Sequence, residues 1–160
     1  ESVHAAMDWV RTHRPTDQVF LFGQSLGGNV MLRALSERPE LPICAVAIEG
    51  SFSSYQQVAQ KSLAKNWFTW FFQWLPYLVI DDSKAIASNM DRLPQSKYLL
   101  IHGEKDRSVP IQLGRQLFEN LPEEKQFWMV REGRHIDTFF RHTPYQKRFV
   151  EYIKQHCLKQ

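Results

Sequence analysis

Several features that would settle a protein's class at once are missing from this chain. No stretch of roughly eighteen apolar residues is present, so nothing in it should cross a membrane as a helix. Basic residues are scattered and the formal charge is only +3, which leaves no basic stripe and argues against nucleic acid as a partner. There are two cysteines, Cys44 and Cys157, far apart in the chain. They suggest neither a disulfide framework nor a metal site, and Cys44, inside the apolar run ICAVAI, reads as a buried thiol. Internal repeats and low-complexity tracts are absent. No leader is visible either, but the first residue is Glu1, and Val3, Ala6, Met7 and Val10 already read as a helix face. We therefore expect a chain cut from something longer, in which a missing targeting signal says little. The compartment stays open, with a cytoplasmic setting as the default.

What is present is ordinary globular material. At 160 residues, 43% hydrophobic and 23% charged, the chain is expected to form one domain, 1–160, burying about two thirds of its unfolded surface. Helical and apolar strand-like segments alternate. Helices are predicted over 2–13, 26–37, 110–120 and 144–156, and strands over 18–22, 43–48, 98–102 and 127–130. Thr143-Pro144-Tyr145-Gln146 reads as a capping box that opens the last helix. Strands separated by helices imply parallel βαβ units, hence an α/β fold with a parallel sheet flanked by helices.

The most informative segment is FLFGQSLGGNV, residues 20–30. An apolar strand enters Gly23-Gln24-Ser25-Leu26-Gly27, and a helix leaves it. This G-x-S-x-G between strand and helix is the setting of a nucleophile elbow, a sharp turn that holds a serine hydroxyl at the carboxyl edge of a sheet. Gly23 and Gly27 are expected to let strand and helix pass without Cβ clashes. The five-residue pattern arises by chance in roughly one chain in twenty of this size, and the alternative is a glycine-rich turn with an idle serine. Its context must therefore decide.

A serine needs a base, and the base needs a group that fixes its tautomer. Of six histidines, His135 follows the last strand in Arg131-Glu132-Gly133-Arg134-His135, at the edge where open α/β sheets bind ligands. His102 and His142 are the alternatives. Asp106, after the third strand in IHGEKDRSVP, is the candidate orienting acid. Glu49, after the second strand, competes with it, and Asp137 is expected to brace the histidine loop. The chain order is Ser25, Asp106, His135.

In that order GQSLGG, LLIHGEKDRSVP and EGRHID resemble the nucleophile, acid and histidine motifs of α/β-hydrolases, closest to small serine hydrolases of the esterase, acyl hydrolase and aminopeptidase-like kind. The resemblance covers nearly the whole chain except its aromatic segment. It implies Ser25 as nucleophile, His135 as base, Asp106 as orienting acid and the Leu26 N–H as an oxyanion donor. No metal or organic cofactor is implied. It also implies that strands preceding the elbow strand are missing, together with the loop that gives the second oxyanion donor. That amino-terminal half would belong to the same protein or to another chain.

Residues 51–89 interrupt the alternation and carry Trp67, Phe68, Trp70, Phe71, Phe72, Trp74 and Tyr77. Helical spacing of Leu63, Trp67, Trp70, Phe71 and Trp74 fits a helix packed between the sheet and another element. A cap that binds an acyl chain through Trp67, Trp70, Phe71 and Trp74 is the second reading. An exposed face for a membrane or a partner is the third. The expected activity is serine hydrolysis of an ester, thioester or amide, with a small-molecule acyl substrate. Acyl transfer by the same residues, and a non-catalytic binding domain on the same fold, are the alternatives.

Overall fold

A computed structural model describes residues 2–65 and 67–158. Four parallel strands form one sheet in chain order: β1 (Phe20–Gln24), β2 (Ala45–Glu49), β3 (Lys97–Gly103) and β4 (Lys125–Val130). Every residue of β2 is buried, as expected of a strand covered on both faces. Parallel neighbours taken in chain order need a crossover at each step, and crossovers of one hand must lie on one face. That face carries α2 (Leu26–Glu37), a 3-10 segment (Ile86–Arg92) and α5 (Ile111–Glu119), which pack Leu32, Leu35, Ile86 and Leu117 onto Val46, Ile48, Tyr98 and Leu100. The alternate residues Ala45, Ala47, Leu99 and Ile101 point the other way. They meet Trp128, Tyr152 and Cys157, the last two from α7 (Thr143–Cys157). Helix α1 (Ser2–His13) precedes β1.

Each predicted strand exists, displaced by up to two residues. The elbow strand runs through Gly23 to Gln24, because both residues pair in register with Ile48 and Glu49 of β2. Strand β1 is one edge of the sheet, and its own Phe22 is exposed.

The structure corrects four expectations. Cys44 is not a free thiol: it is disulfide-bonded to Cys157, 113 residues away, with Cα atoms 5.1 Å apart. Helix α7 runs back across the sheet and delivers its last residue to the start of β2. The capping box does not form. A short helix, α6 (Thr138–Arg141), leads straight into α7, so His142 occupies the cap position, no side chain caps the turn, and Thr143 already lies inside the helix.

The aromatic segment is not a packed helix. After α3 (Tyr55–Leu63) it is a series of turns, a single 3-10 turn (Trp70–Phe72) and the short α4 (Pro76–Val79). Its rings face outward: Trp67 is 85% exposed and Phe71 71%, with Trp70 and Trp74 also exposed. Polar contacts hold its later part to α3. The Tyr77 hydroxyl donates to Gln60 Oε1 (3.0 Å) and Gln56 Nε2 to the Ile80 carbonyl (2.8 Å). Lys65 Nζ donates to the carbonyl of Arg107, which ties the start of the segment to the loop after β3. Six of the eight residues from Trp67 to Trp74 are aromatic, and aromatic side chains lose rotamer freedom against the preceding helical turn, so the spacing alone does not sustain a helix whose rings stay exposed. The fourth expectation, that Gly27 lets helix and strand pass closely, fails as well: the close approach is made by Gly28.

Candidate active site

Ser25 lies between β1 and α2 at φ +49°, ψ −124°, a backbone region that costs a non-glycine residue about 1–3 kcal/mol. The surroundings hold it there. The Ser25 N–H donates to the Glu49 carbonyl (2.8 Å), and the Gly28 N–H donates to the Ser25 carbonyl (3.1 Å). A Cβ on Gly23 would lie 2.7 Å from the Gly28 Cα, so strand and helix pass too closely for any side chain. The partner in that crossing is Gly28, not Gly27. A Cβ on Gly28 would meet Ser51 Oγ at 2.8 Å and Ile48 Cγ2 at 2.9 Å, whereas among the described residues nothing lies within 4 Å of one on Gly27. Leu26 is the first residue of α2, and its N–H belongs to the first turn, where N–H groups have no intrahelical acceptor.

The acid loop and the histidine loop are built together. The N–H groups of Glu104 and Lys105 donate to the carbonyls of Val130 (3.0 Å) and Gly133 (2.8 Å), lacing the turn after β3 to the turn after β4. Gly103 permits this approach, since a Cβ there would sit 2.4 Å from the Arg134 carbonyl oxygen. Asp137 accepts the Arg134 N–H (2.8 Å) and braces the histidine loop, in which Glu132 and Ile136 both have positive φ.

These loops bring Ser25, His135 and Asp106 into one line. His135 Nδ1 donates to Asp106 Oδ2 at 2.7 Å, and the Ser25 hydroxyl donates to His135 Nε2 at 3.0 Å. The Asp106 side chain is fully buried, and its Oδ1 accepts the N–H groups of Ser108 and Val109, each at 2.8 Å. The hydrogen bond from His135 to Asp106 raises the His135 pKa above its ordinary value. Partial burial opposes the rise, while the negative charges of Asp106 and Glu49 add to it. A serine hydroxyl, an imidazole and an anchored carboxylate in this geometry can together deprotonate the hydroxyl as it attacks a carbonyl carbon.

The alternatives sit elsewhere. His102 is wholly buried beneath Asp106, 3.6 Å from it, and its Nε2 donates to the Val109 carbonyl (2.9 Å); burial lowers its pKa. His142 links α6 and α7, 4.0 Å from Asp137. Glu49 does not meet the imidazole Nδ1. Its carboxylate accepts Gln24 Nε2 (2.7 Å) and the Thr138 N–H (3.2 Å) instead. Trp67, Trp70, Phe71 and Trp74 remain on the surface.

Sequence reasoning missed this bridge by Glu49, the packing role of Gly28, and Gly50, which turns the chain out of β2 at φ +59° against the His135 ring. The Glu-Gly pair at a strand end was the one available signal for the last.

Comparison with known proteins agrees with this architecture. The profile of the prolyl oligopeptidase family matches residues 2–153. The YfhR protein of Escherichia coli (strain K12) is 28% identical over 138 residues, covering 85% of this chain and 45% of that protein. The lysophosphatidylserine lipase ABHD12 of Macaca fascicularis is 30% identical over 118 residues, 69% of this chain and 29% of that one. Among solved structures, the Pyrococcus furiosus esterase Pf2001 superposes with a TM-score of 0.71 at 18% identity, over 98% of this chain and 60% of the esterase. The Pyrococcus horikoshii acylaminoacyl peptidase gives 0.70 at 18%, over 97% and 27%. The chain thus spans less than half the length of the curated relatives it matches, and its fold is part of an α/β-hydrolase fold.

Proposed function

We propose that this chain, which belongs to the prolyl oligopeptidase family, carries the chemical half of a serine hydrolase that forms an acyl-enzyme on Ser25. The observation that carries the reading is the continuous hydrogen-bonded line from the Ser25 hydroxyl through His135 to Asp106. As Ser25 Oγ attacks the carbonyl carbon of an ester, thioester or amide, its proton passes to His135 Nε2. Asp106 holds the ring in the tautomer with its proton on Nδ1 and faces the imidazolium that forms. His135 then protonates the leaving group. Water, deprotonated by the same nitrogen, releases the acid and restores Ser25.

The Leu26 N–H serves the developing oxyanion. A second donor comes from the amino-terminal half that we place beside β1, in the same protein or in another chain. Two observations support that placement: among the described residues β1 has a strand neighbour on one side only, with Phe22 exposed, and a groove lined by Val3, Ala6, Leu21, Phe22 and Gln24 runs along it. One missing oxyanion donor costs roughly 10²- to 10³-fold in kcat, so full turnover requires that half. A carboxylic ester with an apolar acyl group is the substrate class we favour, because exposed aromatic rings follow a lysine bonded to the acid loop.

The test is labelling of the full-length protein by a fluorophosphonate, with the adduct located by mass spectrometry. An adduct on Ser25 that Ser25→Ala abolishes supports the reading. An unlabelled wild-type protein sinks it.

A further inference from the structure

Glu49 is a buried carboxylate for which the chemistry above has no use. It ends β2 and is 1% exposed. A carboxylate withdrawn from water is costly unless its oxygens are satisfied. Here both are met by neutral N–H groups, one on each side of the site. Oε2 accepts the side-chain amide of Gln24, the residue before Ser25. Oε1 accepts the Thr138 N–H, which opens α6 just past the His135 loop. The Glu49 carbonyl also accepts the Ser25 N–H. The next residue, Gly50, backs the imidazole so closely that a Cβ there would lie 3.3 Å from His135 Nδ1. One residue thus ties the elbow to the histidine loop.

The elbow presents the neutral Ser25 hydroxyl to His135. The loop after β3 presents Asp106, with His102 buried behind it. The end of β2 presents Glu49. On the histidine's own loop, Asp137 is engaged with the Arg134 N–H and approached by Arg141 and His142.

Resting on the Ser25–His135 reading, we propose that Glu49 is a positioning residue that acts through His135: its carboxylate is a second anionic support for the imidazolium, and its two hydrogen bonds fix the elbow against the histidine loop. The charge favours proton uptake by His135, in the direction already noted for that ring.

Glu49→Gln separates charge from bracing. A glutamine can accept the Thr138 N–H through its oxygen and donate its amide to Gln24, whose own amide turns over to accept. Both bonds survive and only the charge is lost. The readout is the rate of fluorophosphonate labelling against pH in the full-length protein. Wild-type labelling rises with pH as His135 loses its proton. In Glu49→Gln the midpoint should fall by roughly half a unit to one unit. The plateau at high pH should fall several-fold, because a weaker base stabilises less of the imidazolium. The two profiles then approach or cross at low pH.

An unchanged midpoint with a lower plateau would mean bracing alone and would overturn the proposal. If Glu49→Gln does not fold, Glu49→Asp keeps the charge on a shorter stem. The proposal then requires the wild-type midpoint with a reduced plateau, and a midpoint lowered by half a unit or more refutes it. Failure of the hydrolase reading itself would look different, since the wild-type protein would then not label at Ser25.

Discussion

Replacing Gly28 with alanine should damage this protein out of proportion to one methyl group. Gly28 lies in the first turn of α2, buried where the helix crosses β1. The added Cβ would meet Ser51 Oγ at 2.8 Å, Ser51 Cβ at 2.9 Å and Ile48 Cγ2 at 2.9 Å. Rotating the Ser51 hydroxyl relieves the first contact and neither of the others. Ile48 and Ser51 are both fully buried, so neither can withdraw into solvent, and α2 must lift from the sheet. Overpacking of this kind costs about 1–3 kcal/mol, against a gain of up to about 1 kcal/mol for removing a glycine from a helix. At about 2–4 °C per kcal/mol, the net effect is a fall of a few degrees in Tm. Lifting α2 also moves the Leu26 N–H, so fluorophosphonate labelling of Ser25 should slow. The decisive assay is a double-mutant cycle with Ser51→Gly, which removes two of the three clashing atoms. The cost of Gly28→Ala should shrink by about 1 kcal/mol in that background. Additive costs would refute the packing argument.

Other outcomes follow from the same geometry. Wild-type labelling should be half-maximal above pH 6.5, because the hydrogen bond to Asp106 raises the His135 pKa and the protonated ring cannot accept the Ser25 proton. Asp106→Asn should lower that midpoint and slow labelling by as much as ~10⁴-fold, the loss known for an equivalent change in a serine protease triad. Double replacement of Cys44 and Cys157 by alanine should lower stability by up to about 5 kcal/mol, read from the denaturant midpoint, since the bridge closes a loop of 113 residues. Trp70→Ala and Trp74→Ala should each change stability by less than about 0.5 kcal/mol, as exposed positions do. If those rings contact acyl chains, KM should rise with chain length in the same variants while kcat holds.

The parts of the fold legible in sequence were those written locally. Strands β2 and β3 carry continuous apolar runs, 45–48 and 98–101, because both faces are covered there, and such runs need no tertiary information to be seen. The juxtaposition of Ser25, Asp106 and His135 was legible because each follows a strand of one parallel sheet, and parallel strands place their carboxyl ends on one edge. What depended on packing was not. Gly27 and Gly28 are indistinguishable as letters, and only the crossing of α2 over β1 tells them apart. The spacing of Trp67, Trp70, Phe71 and Trp74 suits a buried helix as well as it suits outward-facing turns. The pairing of Cys44 with Cys157 depends on where α7 ends, and the role of Glu49 depends on a register in which Glu49 faces Gln24.

The Cys44–Cys157 bridge encloses β2, β3, β4, Asp106, His135 and the whole aromatic segment, and leaves β1 and Ser25 outside. A protease that cuts at the exposed residues around Trp67 or Phe71 would therefore not release a fragment. The two pieces would migrate as one band until a reductant is added. Such a nick would also leave Ser25, Asp106 and His135 covalently joined, so a protein clipped in this segment keeps all three in one molecule while yielding two bands on a reducing gel.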